Sequence, residues 1–219
     1  MRFFDFSDDK ITCIALNQAD RKLFIGNEQG KIKVFNASTL VQTNEIDLTE
    51  SGKLSAKNIE ITGIRSFCRT KNSEEMIFAA QWLDQLHVFD CKSLKVIKAA
   101  KGVTEAVKDD IRCVQLNEYH SLIASGTAFG VVQLWDFEML KLVSVMHHHS
   151  ACVKAICFTD EYPLMTTSSL DGMICVFSIR GGYDRNQTTL LAKFVNTVKI
   201  ENIKTLATGI TCTHSIVLN

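Results

Sequence analysis

Apolar and polar residues along this chain recur in one plan, repeated four times. Each segment has an apolar-alternating start, a polar turn, a second apolar run ending near a small residue, a tight turn, and an alternation that closes on an aromatic. Ile11 to Asn36 reads ITCIALNQADRKLFIGNEQGKIKVFN, and Ile61 to Asp90 reads ITGIRSFCRTKNSEEMIFAAQWLDQLHVFD. Ile111 to Asp136 reads IRCVQLNEYHSLIASGTAFGVVQLWD, and Val153 to Ser178 reads VKAICFTDEYPLMTTSSLDGMICVFS. Opening residue and closing aromatic lie 24, 28, 24 and 24 positions apart, the longer interval carrying extra polar residues around Thr70 to Glu75. Alternation in Lys31 to Phe35, Gln85 to Phe89, Val131 to Trp135 and Met173 to Phe177 predicts half-buried strands, because successive strand side chains point to opposite faces. Gly30, Gly130 and Gly172 precede three of these runs, where a residue of positive φ suits a tight hairpin turn, and Asp84 takes that place in the second. A further apolar stretch follows the aromatic in Lys95 to Ala99, Leu142 to Met146 and Leu190 to Val195, which predicts a fourth strand per unit.

The units open at residues 11, 61, 111 and 153, with a fifth opening at Ile210 in TGITCTHSIVLN. The spacings are therefore 50, 50, 42 and 57, the shortest close to the roughly 40 to 45 residues of a WD40 unit. ASGTAFGVVQLWD (Ala124 to Asp136) resembles the ending of a WD40 repeat, and TTSSLDGMICVFS keeps that family's Asp171-Gly172 turn. What the resemblance implies is an all-β, WD40-type β-propeller arc of about four four-stranded blades plus a partial fifth, within a larger propeller. All of residues 1–219 are then one propeller region, with blades at roughly 11–50, 61–100, 111–148 and 153–196 and an incomplete fifth at 197–219. The family commonly closes with about seven blades, or about 300 residues, so missing blades or a capping partner are expected to cover the open ends. More narrowly, the DKITCIALNQADRKLFIGNEQGKIKVFN and YPLMTTSSLDGMICVF segments resemble long WD40 proteins with EF-hand segments found in cilia, although this chain has no EF-hand loop. Three of the four closing aromatics are Phe35, Phe89 and Phe177 and one is Trp135. The family's buried Asp-His-Ser/Thr-Trp network is thus complete in no repeat: Phe129 stands where Trp135 would need its turn Asp, and Asp171 lacks a Trp.

Composition adds mainly exclusions. A hydrophobic fraction of 46% with one Pro and 11 Gly is that of a folded globular chain. Lys plus Arg (24) equals Asp plus Glu (24), so no whole-molecule field draws in nucleic acid or anionic lipid, and neither is an expected partner. Asp5, Asp8 and Asp9 stand where a secretory leader needs its apolar core, and no apolar run approaches the ~20 residues of a membrane-spanning helix, so a cytoplasmic and, by resemblance, ciliary or cytoskeletal setting is expected.

Candidate chemistry is sparse. His147, His148 and His149 with Cys152 and Cys157 offer zinc-type ligands, the basis of an alternative metal-dependent or enzymatic reading. Adjacent residues of an extended segment point to opposite sides, and the two cysteines lack the two-residue separation of a zinc knuckle. Neither metal nor cofactor is expected, and in the WD40 register one of the three histidines takes a structural role. Of the eight cysteines, Cys13, Cys113 and Cys212 occupy the third place of their repeats, and Cys157 and Cys175 lie in apolar strands, as small packing residues do. Asp8-Asp9 and Asp109-Asp110 read as solvated residues before opening strands rather than a catalytic dyad. With no nucleophile and base to pair, the expected function is a non-catalytic scaffold that binds other proteins. In this fold the turns between second and third strands share one face with the links into the next blade. That face is expected to carry Trp82, Leu83, Phe129 and Leu170, apolar anchors inside a charged rim that includes Asp171.

Overall fold

The computed structural model describes residues 10–17, 21–48, 60–69, 74–81, 85–101, 109–159, 164–179 and 193–199. Among them every regular element is a strand. These are β1 (Ile11–Asn17), β2 (Lys22–Asn27), β3 (Lys31–Asn36), β4 (Gln42–Asp47), β5 (Ile61–Arg69), β6 (Glu74–Gln81), β7 (Gln85–Asp90) and β8 (Val96–Lys101). β9 (Ile111–Asn117), β10 (Leu122–Thr127), β11 (Val132–Asp136), β12 (Lys141–Met146), β13 (Val153–Phe158), β14 (Leu164–Ser169), β15 (Met173–Ser178) and β16 (Lys193–Lys199) follow. Consecutive strands pair antiparallel into four four-stranded sheets, β1 to β4, β5 to β8, β9 to β12 and β13 to β16, so each sequence repeat builds one sheet. The stretch expected to open a fifth blade is described only as far as Lys199, the end of β16. Two compact units divide the chain, Met1–Ile111 with the first two sheets and Arg112–Asn219 with most of the last two.

Register explains the alternation. Ile25 faces Lys33, Ala79 faces His87, Ser125 faces Gln133 and Thr167 faces Cys175, so the four repeats are equivalent residue by residue. Each outermost strand is bulged beside the closing aromatic, where Phe35, Phe89, Trp135 and Phe177 pair with Gln42, Val96, Leu142 and Phe194. A bulge there bends and twists an otherwise flat edge, which discourages pairing with foreign strands. Before the bulge comes a tight turn in which Leu40, Leu94 and Leu140 take φ of 61°, 57° and 51°. Side-chain oxygens of Asn36, Asp90 and Asp136 accept backbone N–H groups in these turns and hold the left-handed residue in place. The hairpin glycines behave as expected, Gly30, Gly130 and Gly172 having φ of 81°, 89° and 81°. Asp84 lies outside the described residues.

Within each unit, sheets stack face to face. In the first, Phe24, Ile32, Val34 and Ile46 of one sheet meet Ile61, Ile64, Phe89 and Cys91 of the next. In the second, Leu122, Ala124, Val132, Leu134 and Met146 meet Val153, Ile156, Met165, Cys175 and Phe177. Closest approach occurs at two equivalent glycines. A Cβ on Gly126 would lie 2.6 Å from Val153 Cγ1 and 2.8 Å from Cys113 Sγ; one on Gly26 would lie 2.7 Å from Ile61 Cγ2 and from Cys13 Sγ. In each unit the opening residue of the second sheet, Ile61 or Val153, therefore seats on a bare backbone. The recurring cysteines flank the same contact, Cys13 Sγ lying 3.4 Å from the Ile61 carbonyl and Cys113 Sγ 3.6 Å from that of Val153. They are packing residues, as their repetition suggests. Cys175 is likewise buried, whereas Cys157 differs in being disulfide-bonded.

Candidate functional site

The end of the second unit that bears the β10–β11 and β14–β15 turns also bears the link from β12 to β13, residues 147–152. Its rigidity comes from one buried histidine. His147 and His148 are exposed, but His149 turns inward, with Nδ1 3.0 Å from Asp171 Oδ2 and Nε2 2.8 Å from Thr167 Oγ1. Asp171 ties the turn to the link as well, Oδ2 accepting the Ser150 N–H at 2.9 Å and Oδ1 the Met173 N–H at 2.8 Å. Burial alone would raise this carboxyl's pKa. The backbone donors and the histidine outweigh it and hold the group below its ordinary value. Below the turn, Ser169 Oγ donates to the Ala151 carbonyl and accepts the Asp171 N–H.

A carboxylate, an imidazole and a hydroxyl in series have the connectivity of a nucleophilic triad. Thr167 is fully buried, however, and a nucleophile must reach its substrate, so the series serves as a clamp between turn and link. The neighbouring sheet holds the complementary half. Trp135 Nε1 donates to Ser125 Oγ at 3.0 Å, and Ser125 Oγ donates to Gln133 Oε1 at 3.1 Å, while Phe129 occupies the turn position that Asp171 fills next door. The network is thus split between two sheets: aspartate, histidine and threonine in one, serine and tryptophan in the other. Among the described residues no group of three His, Cys, Asp or Glu side chains gathers where a metal ion would sit. Cys152, half-buried, points its thiol to the Val153 carbonyl.

The expected surface residues divide. Phe129 is 63% exposed and Leu170 56% exposed, both at turn tips of this end. Gly130, beside Phe129, packs directly on the His149 carbonyl oxygen, which sets the turn against the clamped link. Asp171 belongs to the clamp, with both carboxylate oxygens engaged inside it. Asp109 differs from the expectation of a solvated residue: it is buried. Trp82, Leu83, Asp8 and Asp9 lie outside the described residues. Which of the three histidines would turn inward was the information missing from the sequence, because its alternation does not say where the register begins.

Four-stranded antiparallel sheets that stack through their faces, each closing on an aromatic in its third strand, are blades of the propeller class. Residues 140–178 match the family described as WD domain, G-beta repeat. That span runs from β12 through β15, so the sequence repeat begins on the outer strand of one sheet and ends on the third strand of the next, fastening the two together. Over 69 residues the chain is 30% identical to the Retinoblastoma-binding-like protein E of Dictyostelium discoideum, covering 31% of this chain and 13% of that protein. It is 32% identical over 78 residues to the human F-box and WD repeat domain containing protein 10B, covering 36% of this chain and 10% of that one. A second human protein, F-box/WD repeat-containing protein 10, matches at the same identity over 78 residues, 7% of its length. The chain spans about a tenth of the length of these relatives. Residues 140–178 are thus similar to a WD40 repeat, and that match falls on two of the four propeller-type sheets.

Proposed function

We propose that the protein is a non-catalytic interaction scaffold that binds partner proteins through the turn-bearing end of its blades. The observation that carries this is the pairing of exposed apolar tips, Phe129 and Leu170, with a backbone clamped by His149, Thr167 and Asp171. Apolar anchors held on a rigid frame lose little conformational entropy on binding, which is what interface hot spots need. Phe129→Ala combined with Leu170→Ala is expected to abolish capture of partners from a cell extract while the melting temperature stays within about 2 °C, as surface truncations cost little. Undiminished capture would refute the assignment of this face, and a large loss of stability would show that the tips are packing residues. The alternative, a metal-dependent module at His147 to Cys157, has less support, because His149 is committed to the clamp and Cys152 to a backbone carbonyl. A stoichiometric ion in tag-free protein would restore it.

A second surface supports the expectation of further blades or a capping partner. Ile14 is 60% exposed, whereas its equivalents Ile64, Val114 and Ile156 are all buried, and Leu16 two residues on is exposed as well. The first sheet therefore offers an apolar strand where the other three have theirs covered. Replacing Ile14 and Leu16 with Asp should leave the blade folded and abolish association with whatever covers it; retained association would remove this part of the reading. A cytoplasmic or ciliary placement rests on sequence resemblance, and imaging of the tagged protein in ciliated cells tests it.

A further inference from the structure

We propose that Tyr119 is a phosphoacceptor site, taking a phosphoryl group from ATP through a protein tyrosine kinase. Tyr119 lies in the tight turn between β9 and β10, inside the unbroken run of described residues 109–159. It is 82% exposed, more than any other large apolar or aromatic side chain among the described residues. Its ring meets that of His120 at near right angles, with centroids 4.8 Å apart, and its hydroxyl has no hydrogen-bond partner among the described residues. The turn itself is lightly held. Ser121 takes a left-handed φ of 54°, its N–H reaches the Glu118 carbonyl at 3.3 Å, and the His120 N–H donates to Asn117 Oδ1 at 2.9 Å. A kinase cleft takes its target segment extended, and releasing these two bonds frees the segment and relieves the strain at Ser121. Meanwhile the Phe137 N–H, bonded to the Ser121 carbonyl at 3.0 Å, keeps the end of the turn on its sheet.

In the transfer, Tyr119 Oη gives its proton to the kinase's base and attacks the γ-phosphorus of magnesium ATP. The new O–P bond forms as the bond from that phosphorus to the β–γ bridging oxygen breaks, and ADP leaves. The phosphate then stays in solvent. Glu118 precedes it with a like charge, and partial burial holds the His120 pKa below its ordinary value, so the adjacent imidazole is uncharged at neutral pH and offers no cation. Because β10 runs from this turn to the Phe129 turn, the phosphate sits at the opposite end of the sheet from the apolar tips and forms a separate site. The test treats the full chain and a synthetic peptide spanning Val114 to Ile123 with magnesium ATP and a tyrosine kinase catalytic domain chosen for its activity on the peptide. Mass spectrometry then separates Tyr119 from Tyr162 and Tyr183, which lie outside the described residues. Phosphate on Tyr119 of the folded chain is expected at a rate within about tenfold of the peptide's, because the opening is local. The melting temperature should change by less than about 2 °C, as for other surface changes. The same phosphopeptide is expected from the chain expressed in cells treated with a tyrosine-phosphatase inhibitor. The proposal fails if the folded chain takes no phosphate at Tyr119 or takes it more slowly than that, if phosphorylation lowers the melting temperature further, or if the cellular protein lacks the modification.

Discussion

Replacing Gly126 with alanine is the sharpest probe of how adjoining sheets meet. Its φ lies outside the left-handed region, so alanine fits the backbone, and on that ground alone the substitution would stabilise the chain by about 0.4–1 kcal/mol by restricting the unfolded state. Space decides otherwise. The new methyl would sit 2.6 Å from Val153 Cγ1, 2.7 Å from Val153 Cβ and 2.8 Å from Cys113 Sγ, about 1 Å inside ordinary carbon contact. Val153 opens the next sheet and belongs to the shared core, so relief requires the two sheets to part, at a cost of about 1–3 kcal/mol. For a chain of 219 residues, about 2 kcal/mol lowers the melting temperature by about 4–8 °C. Urea denaturation and scanning calorimetry of Gly126→Ala, Val153→Ala and the double variant provide the assay. Val153→Ala makes room for the methyl, so the double variant should be more stable than the sum of the single losses, by about 1 kcal/mol or more. Additive losses, or a Gly126→Ala variant as stable as the parent, would refute the stacking of β13 on β10.

Three further outcomes are expected. His149→Ala removes the contacts to Asp171 and Thr167 and leaves a buried hydroxyl and carboxylate short of partners, so it should cost about 3 kcal/mol in denaturant titration; a loss below about 1 kcal/mol would make the clamp incidental. His87 is buried, stacked on Phe89 with both ring nitrogens unbonded, and desolvation holds its pKa below the ordinary value. Its unfolded form takes up a proton as pH falls through about 6.5 while the folded form resists, so stability should fall below that pH, and His87→Leu should flatten the slope; an unchanged slope would refute this. Burial pushes the Cys13 thiol up to about 11, leaving about a hundredfold less thiolate at pH 8 than an ordinary thiol has, so mass spectrometry should show slow alkylation of Cys13 in folded protein and fast alkylation in urea. Equal rates would contradict its burial.

Much of the blade was legible because each strand carries its own period. The third strands stood out by alternation and the turn glycines by position. β4 carried no apolar signal, for the physical reason that its first four residues, Gln42 to Glu45, are solvent-exposed and polar; only its pairing with β3 makes it a strand. Repetition of Cys13 and Cys113 suggested packing, yet its cause, a bare glycine receiving the next sheet's opening residue, appears only when two sheets are placed together. The incomplete polar network was visible in Phe129 and Phe177. That Asp171 faces inward was not, because a turn aspartate looks the same whether it meets water or a histidine 22 residues before it.

The stacking of adjoining sheets through their glycines is open to direct measurement by nuclear Overhauser effects in methyl-labelled protein. Cross-peaks are expected from the Gly126 Hα protons to the Val153 methyls and from the Gly26 Hα protons to the Ile61 Cγ2 methyl, because both contacts lie inside van der Waals distance of an added carbon. Well-resolved spectra lacking both, with the Val153 and Ile61 methyls showing contacts only within their own sheets, would contradict it.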